Sequence, residues 1–300
     1  LSPAEASNNS HCEPLFVHSH NQLEISDEEF SQIGATLLLK RGFNLNAYKD
    51  GCVRRRIAIR VRANHCQTVR EYCALLDSQK DELDHLLKVL TIHVSQFFRN
   101  FATFEKLRLE IIPRLFATAR QSGAKELRFC SLGCAGGEEP YTLALIMAAH
   151  FAREMEEIPV TITATDVDAA TLEQAQRGVF SHERMHELPL DYLQKYFTGS
   201  GAKYQLAPEI MAMVTFSLGD MFNSLLYQDC DLLLCRNVLI YFSREQQEKI
   251  FRNIAAVLGR NGFLVLGKSE TILGESRALF QTVCPVERIY RRCGGECRAD

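Results

Sequence analysis

From Glu126 onward, short apolar runs alternate with helical segments, and this alternation narrows the fold more than any other feature of the chain. Leu127–Leu132 reads as a strand that runs into Gly133-Cys-Ala-Gly-Gly137, and a helix follows from Glu138 to about Phe151. Val160–Ala164 is a second strand, followed by Asp166 and a helix over about 168–177. Asp231–Cys235 and Phe263–Gly267 are further strands, separated by a helix that Ser243 caps and Gly259 ends. Strands alternating with helices imply an α/β, doubly wound parallel sheet. The stretch 186–216 breaks the rhythm and is expected to hold a small inserted subdomain.

The first third has another character. Ser26 is an N-cap candidate followed by Asp27, Glu28 and Glu29, and helices are expected over about 26–41, 50–64, 67–78 and 81–92. A longer helix follows near 101–121. No strand-like alternation precedes residue 126, so an all-helical module over 23–92 stands before the sheet. Residues 93–125 form a linker and connecting helix, and 126–292 the α/β domain. Residues 1–22 are a polar, flexible lead-in, and 293–300 a polar tail.

The 300 residues are 46% apolar, enough for a sizeable core in each module. Apolar runs are strand-length, far short of the roughly 20 residues a membrane helix needs, so no membrane insertion is expected. The N-terminus lacks a basic region followed by an apolar run, and a cytoplasmic location is expected. Eleven cysteines contain no CxxC pair, which suits reduced thiols in place of a disulfide framework or a zinc site. A net charge of −3 argues against nucleic acid as a partner.

In open parallel sheets, ligands sit beyond the carboxyl ends of the strands. The glycine turn at 133–137 occupies that place, but its spacing is not G-x-G-x-x-G. It runs into Glu138 and Glu139, which would repel a pyrophosphate and welcome a cation. S-adenosyl-L-methionine carries a sulfonium and an ammonium group, so the turn favours that methyl donor over a nicotinamide dinucleotide. Asp166, ending the second strand, is the acid expected to accept from ribose hydroxyls. The competing reading makes Asp166 or Asp168 a helix cap.

Four strings sharpen the reading: Leu90-Thr-Ile-His-Val-Ser-Gln-Phe-Phe-Arg99, Gly137-Glu-Glu-Pro-Tyr141, Cys235-Arg-Asn-Val-Leu-Ile-Tyr-Phe242 and Gly267-Lys-Ser-Glu270. In this order they resemble the chemotaxis receptor glutamate O-methyltransferases, the CheR family, over roughly residues 26–292. The resemblance implies a Rossmann-like S-adenosylmethionine-dependent methyltransferase domain, preceded by the all-helical N-terminal domain and carrying a small β subdomain. It implies that His93, Ser95 and Arg99 reach the cofactor from the linker, and that Asp166 with Glu139, or with Glu138 beside it, binds its methionine and ribose portions next to Gly133. Asn223, Ser224, Arg236 and Asn237 would close the pocket, while Arg99, Arg236 and Tyr241 would face the substrate carboxylate. The family often has Thr where Ser95 stands and His where Lys268 stands, which leaves the role of Lys268 open.

The implied reaction gives glutamyl methyl esters and S-adenosyl-L-homocysteine. A glutamate side chain, with an ordinary pKa near 4.3, is already anionic at neutral pH and needs no general base. It needs in-line placement and exclusion of water. An arginine fork can orient it, provided the pairing does not quench the nucleophile. An amine-methylating enzyme would show an Asn/Asp-Pro-Pro-aromatic string, and this chain has none.

Between Lys40 and Arg70, nine Lys or Arg residues face one acid, Asp50. Val53, Ile57 and Val61 share one helical face that should pack inward. Arg55 and Arg62 point away from it, flanked by Arg54, Arg56 and Arg60. This basic surface suits the acidic helices in the cytoplasmic domain of a methyl-accepting chemotaxis receptor, the substrate that the resemblance implies; a monomer is expected. A solvated face is the plainer alternative. His182-Glu-Arg-Met-His186 matches H-E-x-x-H, but Pro189 follows closely and the neighbouring strands belong to another fold, so no metal is expected. Two other functions stay open at this point: methylation of another substrate class, or a non-catalytic module that binds the cofactor for signalling.

Overall fold

The computed structural model describes residues 23–91, 95–222 and 229–293. His93, Asn223 and Ser224, three of the expected site residues, lie outside them.

The N-terminal domain is built from α1 (Asp27–Arg41), α2 (Asp50–Ala63), α3 (Val69–Ser78) and α4 (Lys80–Leu90). A capping box opens α1: Ser26 Oγ accepts from the Glu29 amide at 3.2 Å, and Glu29 accepts from the Ser26 amide at 2.9 Å. Gly42, in the left-handed region, ends the helix. Val53, Ile57 and Val61 are buried on the inner face of α2, as their spacing predicts. Each such burial contributes about 1.5–3 kcal/mol. They join one apolar cluster with Ile33, Leu37, Tyr72, Leu83 and Leu86.

The connecting helix is not uniform. It comprises α5 (Phe101–Lys106), a π turn over Leu107–Ile111, and α6 (Ile112–Ser122). Pro113 lies in the first turn of α6, and its ring cannot coexist with an ordinary α-turn against the carbonyl four residues earlier. The wider turn relieves that clash and keeps Leu107 and Ile111 buried.

The second domain follows in the order β1 (Leu127–Leu132), α7 (Glu138–His150), α8 (Ala152–Glu157), β2 (Val160–Asp166) and α9 (Ala169–Arg177). Then come β3 (Val179–Ser181), α10 (Leu190–Tyr196), β4 (Phe197–Ser200), β5 (Lys203–Leu206), α11 (Pro208–Met211) and β6 (Val214–Leu218). The chain closes with β7 (Cys230–Cys235), α12 (Arg244–Val257), β8 (Leu258–Leu266), β9 (Phe280–Cys284) and β10 (Ile289–Arg292).

Among the described residues, seven strands form the main sheet in the order β6-β2-β1-β7-β8-β10-β9, and β10 runs antiparallel to both β8 and β9. Side chains alternate between its two faces. Phe129, Leu232, Leu234, Phe263 and Val265 enter one apolar core with α6 and α7. Their neighbours Cys130, Leu233, Cys235, Leu264 and Leu266 enter the other, with α12. The buried cysteines act there as small apolar residues.

Two expectations change. The small antiparallel sheet, β3-β5-β4, lies within 179–206, earlier than the 186–216 expected, because β6 pairs with β2 in the main sheet. Cys293 is disulfide-bonded, whereas reduced thiols were expected throughout; eight other described cysteines are free. Among the described residues, no helix is long and apolar enough to cross a membrane.

Candidate active site

The strand order reverses beside β1, with β2 on one side and β7 on the other, and a crevice opens there beyond the strand ends. The cleft at this point is lined by the glycine turn (Gly133, Cys134, Ala135), by Glu139, Asp166 and Asp220, by Arg236, Asn237 and Tyr241, and by Ser95, Gln96 and Arg99 from the linker. Sequence-distant residues thus meet in one place.

The turn at 133–137 is fixed by backbone conformation. Gly133 and Gly137 have φ of 66° and 87°, a region L side chains rarely adopt. A Cβ on Gly137 would also come within 3.1 Å of Ala175, Phe216 and Tyr141. Asp166 is buried at the end of β2 and holds the turn from outside: its Oδ2 accepts from the Ala135 amide at 2.9 Å, and its Oδ1 accepts from the Asp168 amide at 3.1 Å. Asp168, not Asp166, caps α9.

The paired acids divide. Glu139 faces the cleft, accepting from Ser131 Oγ at 2.8 Å and pairing with Arg236 at 3.1 Å. Burial lifts its carboxyl above the usual range, against the pull of Arg236 and Ser131. Glu138 turns to the opposite side, where it pairs with Arg184 at 3.0 Å, and does not line the cleft. One step along a helix rotates a side chain by about 100°, and these two adjacent acids point accordingly to different partners.

Arg236 is brought to the cleft wall, but its guanidinium works inward. One arm meets Glu139, and Nη2 donates to the Arg99 carbonyl at 2.7 Å and to Asn100 Oδ1 at 3.1 Å. Its plane lies 5.0 Å from the centre of the Phe104 ring, and only 2% of its side chain is exposed. Arg236 therefore braces the loop that carries Arg99. Asn237 follows with φ of 60°, and its buried Oδ1 has no partner among the described residues.

The loop after β7 is shaped by Glu270. Its two oxygens accept from the amides of Gly267 (2.7 Å), Asn237 (2.8 Å), Leu239 (2.7 Å) and Ile240 (3.3 Å). Glu270 ends the string Gly267–Glu270, but nothing in its local sequence marks this task. The N-terminal domain grips the same loop: the Lys49 amide donates to the Tyr241 carbonyl at 2.8 Å, and the Tyr48 ring packs tilted against Phe242 with ring centres 4.6 Å apart. Tyr48 also lines the cleft, and burial, then Asp220 and Asp166, pushes its phenol above the ordinary value. No local signal marks Tyr48. Asp220 was legible in principle, since it follows a parallel strand adjacent to β2.

The five arginines expected at a docking face separate. Arg55 and Arg62 are exposed. Arg54 pairs with Asp50 and Asp27, both at 2.6 Å, and Arg60 pairs with buried Glu82. Arg56 turns instead to two cleft-lining residues: its guanidinium carbon lies 5.1 Å from the centre of the Tyr241 ring, and it donates to the Leu90 carbonyl at 2.5 Å. Lys268 pairs with Glu287 at 2.7 Å, which Thr103 Oγ1 also meets at 2.6 Å; burial would raise the Glu287 carboxyl, but these two donors hold it below its usual range. His182–Met185 forms a short 3-10 turn, so its histidines do not sit one α-turn apart.

A doubly wound sheet with a glycine turn, strand-end acids and a cation-suited cleft at its switch point defines an S-adenosylmethionine-dependent methyltransferase. The model of the CheR methyltransferase SAM-binding domain matches residues 93–287, and that of the CheR methyltransferase all-alpha domain matches residues 28–91. The chain belongs to the CheR methyltransferase family.

Among its relatives, a chemotaxis protein methyltransferase of Listeria innocua is 34% identical over 83% of this chain and 93% of its own length. Chemotaxis protein methyltransferase 2 of Pseudomonas aeruginosa is 28% identical over 90% of this chain and 97% of its own. An uncharacterized 104.1 kDa protein of Rhodobacter capsulatus is 34% identical over 82% of this chain, which spans only 26% of that relative's length.

Proposed function

We propose that this protein transfers the methyl group of S-adenosyl-L-methionine to glutamate side chains in the cytoplasmic helical domain of chemotaxis receptors. The observation that carries the reading is the meeting of Arg99 and Tyr241 with Asp166, Glu139 and the glycine turn in one cleft. The residues present fit the cofactor: Asp166, a buried carboxylate at the end of β2 on the cleft wall, is an acceptor of the kind ribose hydroxyls require, and Asn237 offers a buried oxygen with no partner among the described residues, suited to an ammonium group. Gly133, Ser95 and Asp220 complete the wall.

The bound cofactor supplies an electrophilic methyl group on a positively charged sulfur. The protein's own task is placement. Arg99 holds the substrate carboxylate by its fork, and Tyr241 orients it without taking its charge. Arg236 supports Arg99 through its backbone carbonyl. Arg56, stacked on Tyr241, fixes that ring from the N-terminal domain. Exposed Arg55 and Arg62 meet the acidic substrate helix.

The test incubates the protein with labelled cofactor and a receptor cytoplasmic domain. Base-labile label on the receptor supports the proposal; alkali-stable label, or cofactor binding with no transfer, defeats it. Asp166→Ala should weaken S-adenosyl-L-homocysteine about 10- to 100-fold by calorimetry, the loss of charge-assisted hydrogen bonds. Unchanged affinity would move the cofactor elsewhere.

A further inference from the structure

Arg99 sits on a strained loop. Its neighbours Phe98 and Asn100 have φ of 52° and 64°, and neither is glycine. Such residues persist only where their surroundings over-determine the backbone. Part of the support is local to the main domain: the Phe98 amide donates to Thr142 Oγ1 at 3.1 Å, and Arg236 holds the Arg99 carbonyl.

The rest comes from the subdomain with the small sheet. The Phe97 amide donates to the Arg184 carbonyl at 2.9 Å, and Arg184 Nη1 returns a bond to the Ser95 carbonyl at 2.6 Å. Glu187 uses both oxygens on the loop, accepting from Gln96 Nε2 at 2.6 Å and from the Phe101 amide at 3.0 Å. Those contacts fall on either side of Arg99. The Phe97 ring, fully buried, stands edge-on between Phe180 at 4.8 Å and Phe197 at 5.3 Å. Arg184 also pairs with Glu138 at the start of α7, which explains the one paired acid that does not face the cleft.

We infer that the turn over residues 181–187 clamps the Arg99 loop, and that Glu187 is its positioning residue, acting on methyl transfer through Arg99. The inference rests on the reading of Arg99 as holder of the substrate carboxylate. It gives the inserted subdomain a task inside the reaction: whatever shifts the turn shifts the arginine. It also gives the string His182–His186 a structural use, as the support from which Arg184 and Glu187 reach the linker. Because a misplacement near 1 Å costs on the order of a hundredfold in rate, a loosened loop should be visible in kcat.

The experiment is a double-mutant cycle on the full chain, with a receptor cytoplasmic domain as substrate and Glu187→Ala and Arg99→Lys as the two changes. Glu187→Ala should lower kcat about tenfold in the wild-type background and less than about twofold beside Arg99→Lys, since effects carried by one group do not add. Glu187→Leu, which keeps most of the side chain's volume but accepts from neither Gln96 nor the Phe101 amide, should give the same pattern and serves if the alanine variant does not fold. A merely structural Glu187 would lower kcat by the same factor in both backgrounds, and that result overturns the inference. So does an unaltered kcat for Glu187→Ala when Arg99→Lys is impaired. Full activity of Arg99→Lys alone would instead remove the underlying reading of Arg99, and the clamp's role in catalysis with it.

Discussion

Replacing Glu270 by Gln tests the loop that carries Tyr241. The wild-type carboxylate is 4% exposed and accepts from four backbone amides, three of them at 2.7–2.8 Å. Glutamine keeps one oxygen, and its amide NH2, a donor, faces the donors that the other oxygen served. If Oε1 is the atom lost, the amides of Leu239 and Ile240 lose their acceptor; if Oε2, those of Gly267 and Asn237 do. Either way two amides are stranded, at about 1–3 kcal/mol each. The longer 3.3 Å bond and partial relaxation reduce the total, so about 3 kcal/mol is expected. For a domain of this size that is a fall of about 6–12 °C in melting temperature. Near-ultraviolet circular dichroism follows the melt, and methyl transfer to a receptor domain follows activity, which should fall with the displaced tyrosine. A variant melting within about 1 °C of wild type would refute the argument that Glu270 organises this loop.

In the N-terminal domain, Arg60→Ala should destabilise by about 3 kcal/mol at neutral pH, because it strands the buried Glu82 carboxylate. Burial would raise that carboxyl, but Arg60, Tyr72 and Asn64 hold it below its ordinary value. Its contribution is therefore complete above the unfolded value near 4.3 and is lost as pH falls through the lower folded value, so the two proteins' denaturant midpoints should converge in acid. Arg55→Glu with Arg62→Glu should raise KM for the receptor several-fold in a salt-dependent way while leaving cofactor affinity unchanged; steady-state kinetics at two ionic strengths decide this. Lys268→Met should lower the melting temperature by a few degrees and leave S-adenosyl-L-homocysteine affinity within about twofold, since Lys268 supports Glu287 and does not line the cleft.

The order of helices and strands was legible because each rests on contacts a few residues apart. The Ser26–Glu29 box, the inward stripe Val53-Ile57-Val61 and the Gly133–Gly137 turn all carry their cause in local spacing. The edge hairpin β9–β10 and the strands of the small sheet were less so. They are short, and pairing across distant segments decides them, not their own period.

By itself, then, the sequence determined an all-helical module ahead of a doubly wound sheet, a cleft suited to a cationic methyl donor, and the family. Tertiary structure alone decided which of several similar side chains does which task. Glu139 faces the cleft and Glu138 does not; Arg56 reaches Tyr241 while Arg54 and Arg60 tie helices together; Arg236 turns inward to brace Arg99. The physical reason is that a charged group's role is set by the partner it meets and by the water it loses. Both come from segments as far apart in the chain as Lys49 and Tyr241, or Gln96 and Glu187, which only folding brings together.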